Sequence, residues 1–380
     1  MEKVRLTWPV VSGAVQYQVL VLKDPAGGQQ NIAMAKDSVF TNGVELRLSG
    51  FGEAARNFYW SVCPLAYDGS PIGKFSAPKP IAEAAINPDA PLPTTEFERM
   101  DYFPLYPVFS WVPVEGATRH EVRVMQFGPE GQKQVRRLEG GEYDVYETGG
   151  YTVPGSYAWQ VRALTPGGEA LSDWSEPSPF QVTSPTSIAA LGDSITHGGG
   201  AMSVPPGYLL YDWETYSQVP VKNLGYSGDT TEAMLARFDA DVLPFHPQVL
   251  VIMGGVNDFR AGTLGWNTVE NLAAIRDKCT ANGIIPVFST VTPINPELIA
   301  LRGMVEPPPG DWQVHQKYIN DWVMQQPYHV DATSALADDK GNLRAESTTD
   351  GLHPDEAGKR HIGETIGKYL QAQFPSIAAN

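Results

Sequence analysis

Ser187-Ile188-Ala189-Ala190-Leu191-Gly192-Asp193-Ser194-Ile195-Thr196 is the stretch from which the organisation of this 380-residue chain is read. Its start is apolar on both faces, as in a strand buried inside a parallel sheet. Gly192 ends the strand, and Asp193-Ser194 open a turn. Two more such runs follow, over 248–253 and 284–290. Helical stretches separate them. One covers 230–238 behind Asp229, the expected N-cap, and a second runs over 269–281 to a stop at Asn282-Gly283. A last helix is opened by His353-Pro354 and heads for Phe374. Strands alternating with helices predict a doubly wound α/β sheet over 187–380, with ligands at the carboxyl ends of its strands.

Upstream of Ser187 the pattern changes to a repeat. The stretch from Trp8 to Val19 aligns without gaps on that from Trp111 to Val122. Phe58-Tyr59-Trp60-Ser61-Val62 likewise matches Tyr157-Ala158-Trp159-Gln160-Val161. Both blocks alternate with period two and carry aromatic and β-branched residues on one face, the mark of half-buried antiparallel strands. The early Trp, the late aromatic strand and the closing Phe75-Ser76-Ala77-Pro78 and Trp174-Ser175-Glu176-Pro177 resemble the fibronectin type III module. Pro-rich segments at 86–93 and 184–186 read as semi-rigid linkers. The chain is thus expected to be multidomain. Two all-β sandwiches, 1–84 and 95–184, precede an α/β three-layer, flavodoxin-like domain with a parallel sheet over 187–380.

A formal net charge of −16 argues against nucleic acid, since a phosphate-binding surface needs clustered Lys and Arg and the sequence shows no such cluster. No apolar run reaches the roughly 18 residues a membrane span needs. Cys63 and Cys279, in different expected domains, read as unpaired core thiols. Met1-Glu2-Lys3 leads straight into a strand-like run without a signal peptide. The expected location is outside the cytoplasm of a bacterium (extracellular, periplasmic or cell-surface), with the signal peptide absent from this chain; a cytoplasmic protein is the alternative.

The strand-end rule directs attention to four turns: Gly192-Asp193-Ser194, Ser227-Gly228-Asp229, Gly254-Gly255-Val256-Asn257-Asp258 and Asp350-Gly351-Leu352-His353. Together, in this order, they resemble the four blocks of the SGNH or GDSL hydrolases over residues 187–373. Ile195 stands where the GDSL name has Leu. The family's Ser, Gly, Asn and His carry over to Ser194, Gly228, Asn257 and His353. A Ser hydroxyl attacks only when a base takes its proton, and imidazole suits that role near neutrality. His353 is the expected base, and Asp350 curls back to fix its tautomer. The resemblance implies three oxyanion donors: the backbone N–H groups of Ser194 and Gly228 and the side-chain amide of Asn257. It implies no cofactor.

Other groups receive plainer readings. Asp193 holds its turn, Asp258 braces the loop of Asn257, and His197 lies in a flexible solvated loop before Gly198-Gly199-Gly200. His246, His315, His329 and His361 show no metal-ligand spacing, so no metal is expected. The cleft loops are placed at 200–218, 259–267 and 292–313. Their residues Trp213, Tyr216, Arg260, Trp266 and Trp312 are the expected substrate-binding groups, an aromatic and polar mixture suited to sugar rings. The expected partner is therefore a small-molecule or polysaccharide ester, with an acetylated glycan preferred. A lysophospholipase, thioesterase or short-chain arylesterase is the rival within the enzyme class. A non-catalytic carbohydrate-binding surface protein is the rival outside it.

Overall fold

The computed structural model describes residues 3–200, 204–303 and 305–379. The reading of Met1-Glu2, and the parts of the cleft loops at 201–203 and 304, lie outside the described residues. The chain forms two compact units. One holds the chain through Thr95 with Val108–Tyr146 and Tyr157–Pro179; the other holds Glu96–Pro107, Glu147–Ser156 and the chain from Phe180 on.

The first unit is rich in antiparallel sheet. Lys3–Thr7 pairs with Gly43–Arg47 and Ala85–Ile86, while Gln16–Leu22 pairs with Ile32–Val39 and Tyr59–Leu65. Val4 and Leu6 of one sheet meet Tyr17, Val19 and Val21 of the other around Trp8 and Trp60. The second repeat copies this plan. Val108–Val112 pairs with Asp144–Tyr146 and Leu92–Pro93, and Arg119–Gly128 pairs with Gly131–Gly140. The aligned residues also make the same contact. Trp8 meets Tyr17 at 5.2 Å between ring centroids, and Trp111 meets His120 at 5.0 Å.

The second unit is built on a five-stranded parallel sheet. Its spatial order is Lys222–Asn223, Ile188–Gly192, Val249–Met253, Ile285–Ser289 and His329–Val330. Ile188–Gly192 and Val249–Met253 are buried at every position, which is why their sequences are apolar on both faces. In chain order the strands run 2-1-3-4-5, so the sheet changes direction beside Ile188–Gly192. A doubly wound sheet opens its ligand crevice at such a point. The helices that matter below are α1 (Ser194–His197), α2 (Thr231–Asp241), α3 (Val256–Arg260), α4 (Gly265–Ala281), α5 (Pro296–Arg302), α6 (Trp312–Val323) and α7 (Glu356–Gln373).

Two local expectations are corrected. Thr230, not Asp229, caps α2, its hydroxyl accepting from the Ala233 N–H at 3.3 Å. Asp229 is drawn away by Arg237, 2.5 Å from its carboxylate. The last helix begins at Glu356 rather than at His353-Pro354, because Asp350 holds the backbone of residues 352–353 in a turn.

The stretch Glu96–Pro107 supplies Phe97, Phe103, Leu105 and Tyr106 to the interior. Phe103 stacks on Phe180 at 3.8 Å with Tyr151 edge-on to both rings. The Leu105 N–H donates to the Asn223 carbonyl at 2.9 Å, extending order beyond the edge strand of the parallel sheet.

Candidate active site

Ser194 owes its position to two tight turns. A Cβ on Gly192 would lie 2.4 Å from Thr196 Oγ1 and 2.6 Å from the Met253 carbonyl, so only glycine ends this strand. Asp193 then caps α1, accepting the Ile195 N–H at 2.9 Å. Ser194 is the first residue of that helix, where backbone N–H groups have no intrahelical partner. On the other side, a Cβ on Gly351 would lie 2.5 Å from the Asn295 carbonyl. The turn that Gly351 permits wraps Asp350 around His353. Asp350 Oδ1 accepts the N–H groups of Leu352 and His353 at 2.7 and 2.8 Å.

The three side chains form one line. Asp350 Oδ2 lies 2.7 Å from His353 Nδ1, and His353 Nε2 lies 2.9 Å from Ser194 Oγ. An ionised carboxylate only accepts, so Nδ1 carries the ring proton and Nε2 is left to accept from the serine hydroxyl. Burial alone would raise the Asp350 carboxyl. The neighbouring His353 and the hydrogen bonds it receives outweigh that and hold it below the usual carboxylate range.

Gly228 and Asn257 sit on the adjoining strand ends. Gly228 has φ of 90°, and a Cβ there would meet nothing within 4 Å, so its backbone borders open space. Asn257 is the second residue of the short helix α3, which starts behind Gly255, whose φ is 129°. Its amide nitrogen donates to the Asp229 carbonyl at 2.9 Å, and its carbonyl oxygen accepts from Arg260 at 3.4 Å. One of the two amide protons is thereby used. Asp258 accepts from the Thr231 N–H and hydroxyl at 2.9 and 2.6 Å, tying α3 to the start of α2.

Sequence reasoning passed over two cations, one partly buried and one fully buried, that hold these turns together. Arg237 binds Asp229 and Asp241 at 2.5 and 2.9 Å and donates to the Gly192 carbonyl at 3.0 Å. Lys359 is fully buried and donates to the Ile195 carbonyl at 2.6 Å, joining α7 to α1. Burial pulls its ammonium down, while Asp212, Glu214, Asp193 and Asp355 hold it up. Burial pushes Asp193, Asp212 and Asp355 each to about 7. A signal existed: Lys359 falls in the buried stripe of Ile362, Ile366 and Leu370, where a lysine has no business unless it is held.

The expected site residues divide. Ser194, His353 and Asp350 are hydrogen-bonded in series, and Gly228 and Asn257 meet through the intervening Asp229. Trp266 is half exposed at the start of α4. Arg260 touches Asn257. Tyr216 instead lies under Arg360 of α7, 4.4 Å away, and donates to the Leu210 carbonyl. Trp213 and Trp312 are corrected, being 0% and 4% exposed; neither offers a face to a ligand. Trp312 is stacked on Phe259, and Trp213 packs beneath α7. His197 is corrected too: it is the buried last residue of α1, hydrogen-bonded through both ring nitrogens.

Residues 190–361 match the model of the GDSL-like lipase/acylhydrolase family. The match supports a GDSL-type acylhydrolase domain in this part of the chain and, with it, a carboxylic ester hydrolase. Among solved structures, the chain is similar to a lipase/acylhydrolase from Enterococcus faecalis, with 23% identity and a TM-score of 0.41 over 50% of this chain and 96% of that one. It is also similar to an acetylxylan esterase from Geobacillus stearothermophilus, with 18% identity and a TM-score of 0.36 over 50% of this chain and 95% of that one. A curated relative, the uncharacterized lipoprotein YqeF of Bacillus subtilis (strain 168), is 38% identical over 80 residues. Those residues are 20% of this chain and 33% of the relative, so the chain spans about a third of that protein's length.

Proposed function

We propose that the second unit is a serine esterase that works through an acyl-enzyme, with Ser194 as nucleophile, His353 as base and Asp350 as its orienting carboxylate. The observation that carries this reading is the unbroken line from Asp350 Oδ2 through the imidazole to Ser194 Oγ, at 2.7 and 2.9 Å. As Ser194 Oγ attacks an ester carbonyl, its proton passes to His353 Nε2, and Asp350 stabilises the imidazolium. The negative charge on the former carbonyl oxygen would be met by the N–H groups of Ser194 and Gly228 and the free amide proton of Asn257. His353 then gives the proton to the departing alkoxide, leaving Ser194 acylated. Water, deprotonated by the same ring, releases the acid.

For the substrate we infer a short acyl group, acetyl above all, on a carbohydrate. Half-exposed Trp266 at the start of α4 supports it, since an exposed indole can stack on a sugar ring. A longer acyl chain is the second reading, favoured by exposed Leu264, Leu301 and Val314 on neighbouring elements. The stretches 1–84 and 95–184 are proposed as accessory fibronectin type III-like modules, with 96–107 and 147–156 serving the esterase domain over 187–380. Export in a bacterium is proposed as well, in keeping with the lipoprotein relative.

p-Nitrophenyl acetate, butyrate and octanoate, tried beside acetylated xylan, test both levels. Ser194→Ala and His353→Ala should each abolish turnover while the protein stays folded, and wild type should take a fluorophosphonate label on Ser194. Normal turnover by Ser194→Ala would sink the esterase reading. A steep rise in kcat/KM from acetate to octanoate would sink only the acetyl-sugar part.

A further inference from the structure

His197 lies three residues after the nucleophile, buried, with its ring between two chain segments distant in sequence. Nε2 is 2.5 Å from the carbonyl of Tyr106, a group that only accepts, so Nε2 bears the proton. Nδ1 faces Ser227, receiving its backbone N–H at 3.2 Å with its hydroxyl at 2.8 Å. A backbone N–H only donates, so Nδ1 must be the bare nitrogen. The ring is therefore neutral and fixed in one tautomer. Burial pushes it down to about 4, in keeping with that state.

Both partners are themselves clamped. The Tyr106 hydroxyl donates to Asp241 at 2.8 Å, and Asp241 also binds Arg237. The Tyr106 ring meets Tyr226 edge-on at 4.8 Å. Ser227 stands next to Gly228, and Tyr226 before it donates its N–H to the Gly192 carbonyl at 3.0 Å. The turn also leaves no slack behind His197, since a Cβ on Gly225 would fall 2.2 Å from the His197 nitrogen.

We propose that His197 is a positioning residue of the esterase site. The Tyr106 carbonyl locks it in the tautomer whose bare Nδ1 holds the Ser227–Gly228 turn, where Gly228 must meet the oxyanion. Residues 96–107, far upstream of the nucleophile, thereby belong to the catalytic apparatus. The inference rests on the esterase reading and adds to it a device that links oxyanion stabilisation to that segment. His197 touches no substrate atom; it acts through Ser227.

The test uses full-length protein with p-nitrophenyl acetate. His197→Phe keeps the ring's bulk and loses both hydrogen bonds. His197→Asn carries an oxygen near the Nδ1 position, opposite Ser227, and His197→Gln carries its amide near the Nε2 position, opposite Tyr106. A displacement of the donor by about 1 Å costs on the order of 100-fold in rate. The expected result is thus a kcat for the Phe variant lower by about that factor with KM within about twofold. The Asn variant should recover most of kcat, and the Gln variant should stay low. A packing role would instead rank the variants by thermal stability. If the Phe variant does not fold, the Asn and Gln pair decides. Equal kcat in those two, or wild-type kcat in the Phe variant, overturns the positioning role and leaves the esterase reading standing. An inert wild type whose Ser194 takes no fluorophosphonate overturns both.

Discussion

Asp350 determines more at the residue scale than its single hydrogen bond to the His353 ring suggests. Its Oδ2 compels Nδ1 of His353 to hold the proton, and its Oδ1 fixes the backbone from which the ring projects. Asp350→Asn keeps the size but presents an amide that can donate to Nδ1 and invert the tautomer. We expect kcat to fall by about 10³–10⁴-fold with the fold intact, measured by ester turnover beside circular dichroism; a loss below tenfold would mean that backbone contacts alone orient the ring. Gly228→Ala makes a contrasting case. Its Cβ meets no protein atom but enters open space at a φ of 90°, which strains a non-glycine residue by about 1–2 kcal/mol. Its kcat should fall far more than its Tm, and an unchanged kcat would remove Gly228 from the oxyanion site. These residues were legible in the sequence because reactive types at strand-end turns have few other reasons to be there. His197 was not. Its role depends on a carbonyl oxygen of Tyr106, and a carbonyl has no sequence signature.

At the scale of elements, α7 shows how packing sets the geometry of the site. Gly363 and Gly367, one turn apart, face the segment 213–217 so closely that a Cβ would lie 2.0 Å from the Trp213 carbonyl and 1.8 Å from the Ser217 carbonyl. Alanine would favour the helix by about 1 kcal/mol on propensity, but here it collides with backbone, which cannot swing aside. Gly367→Ala should therefore lower Tm by several degrees. Because α7 follows His353 and carries Lys359 to Ile195, it should also lower kcat. A variant as stable and active as wild type would show that the helix shifts without moving the base. The buried strands 188–192, 249–253 and 285–289 were legible from runs apolar on both faces. His329–Val330 was not, since two residues carry no period. The N-cap of α2 was misread for another reason: Asp229 and Thr230 both suit the position, and only the distant Arg237 decides between them.

Across the whole chain, a charge of −16 gives little guide to the interior, where the second unit buries Lys222 as well as Lys359. Nothing in the sequence marks Lys222 as buried, and the stretch 96–107 reads only as part of a β-module. A hydrogen bond from Lys222 Nζ to the Phe103 carbonyl at 2.5 Å joins the two. The sequence could not reveal this, because Phe103 is 119 positions away and contributes backbone alone. Burial lowers the Lys222 ammonium to about 7, well under the ordinary lysine value of 10.5. The consequence for stability has a definite sign. Between about 7 and 10.5 the unfolded chain holds this proton more firmly than the folded one, so unfolding takes up a proton. Raising pH through that window must then stabilise the folded state with respect to this group; below about 7 both states are protonated and its contribution is flat and unfavourable. Lys222→Met removes the titration while filling most of the same space. The wild-type unfolding free energy, measured by calorimetry from pH 6 to pH 10, should gain on that of Lys222→Met as pH rises above about 7, with a slope of at most about 1.4 kcal/mol per pH unit. Parallel curves across the window would mean that Lys222 keeps its proton in the fold, with the Phe103 carbonyl and the ring of Phe245, 4.4 Å from Nζ, solvating the ammonium well enough to offset its burial.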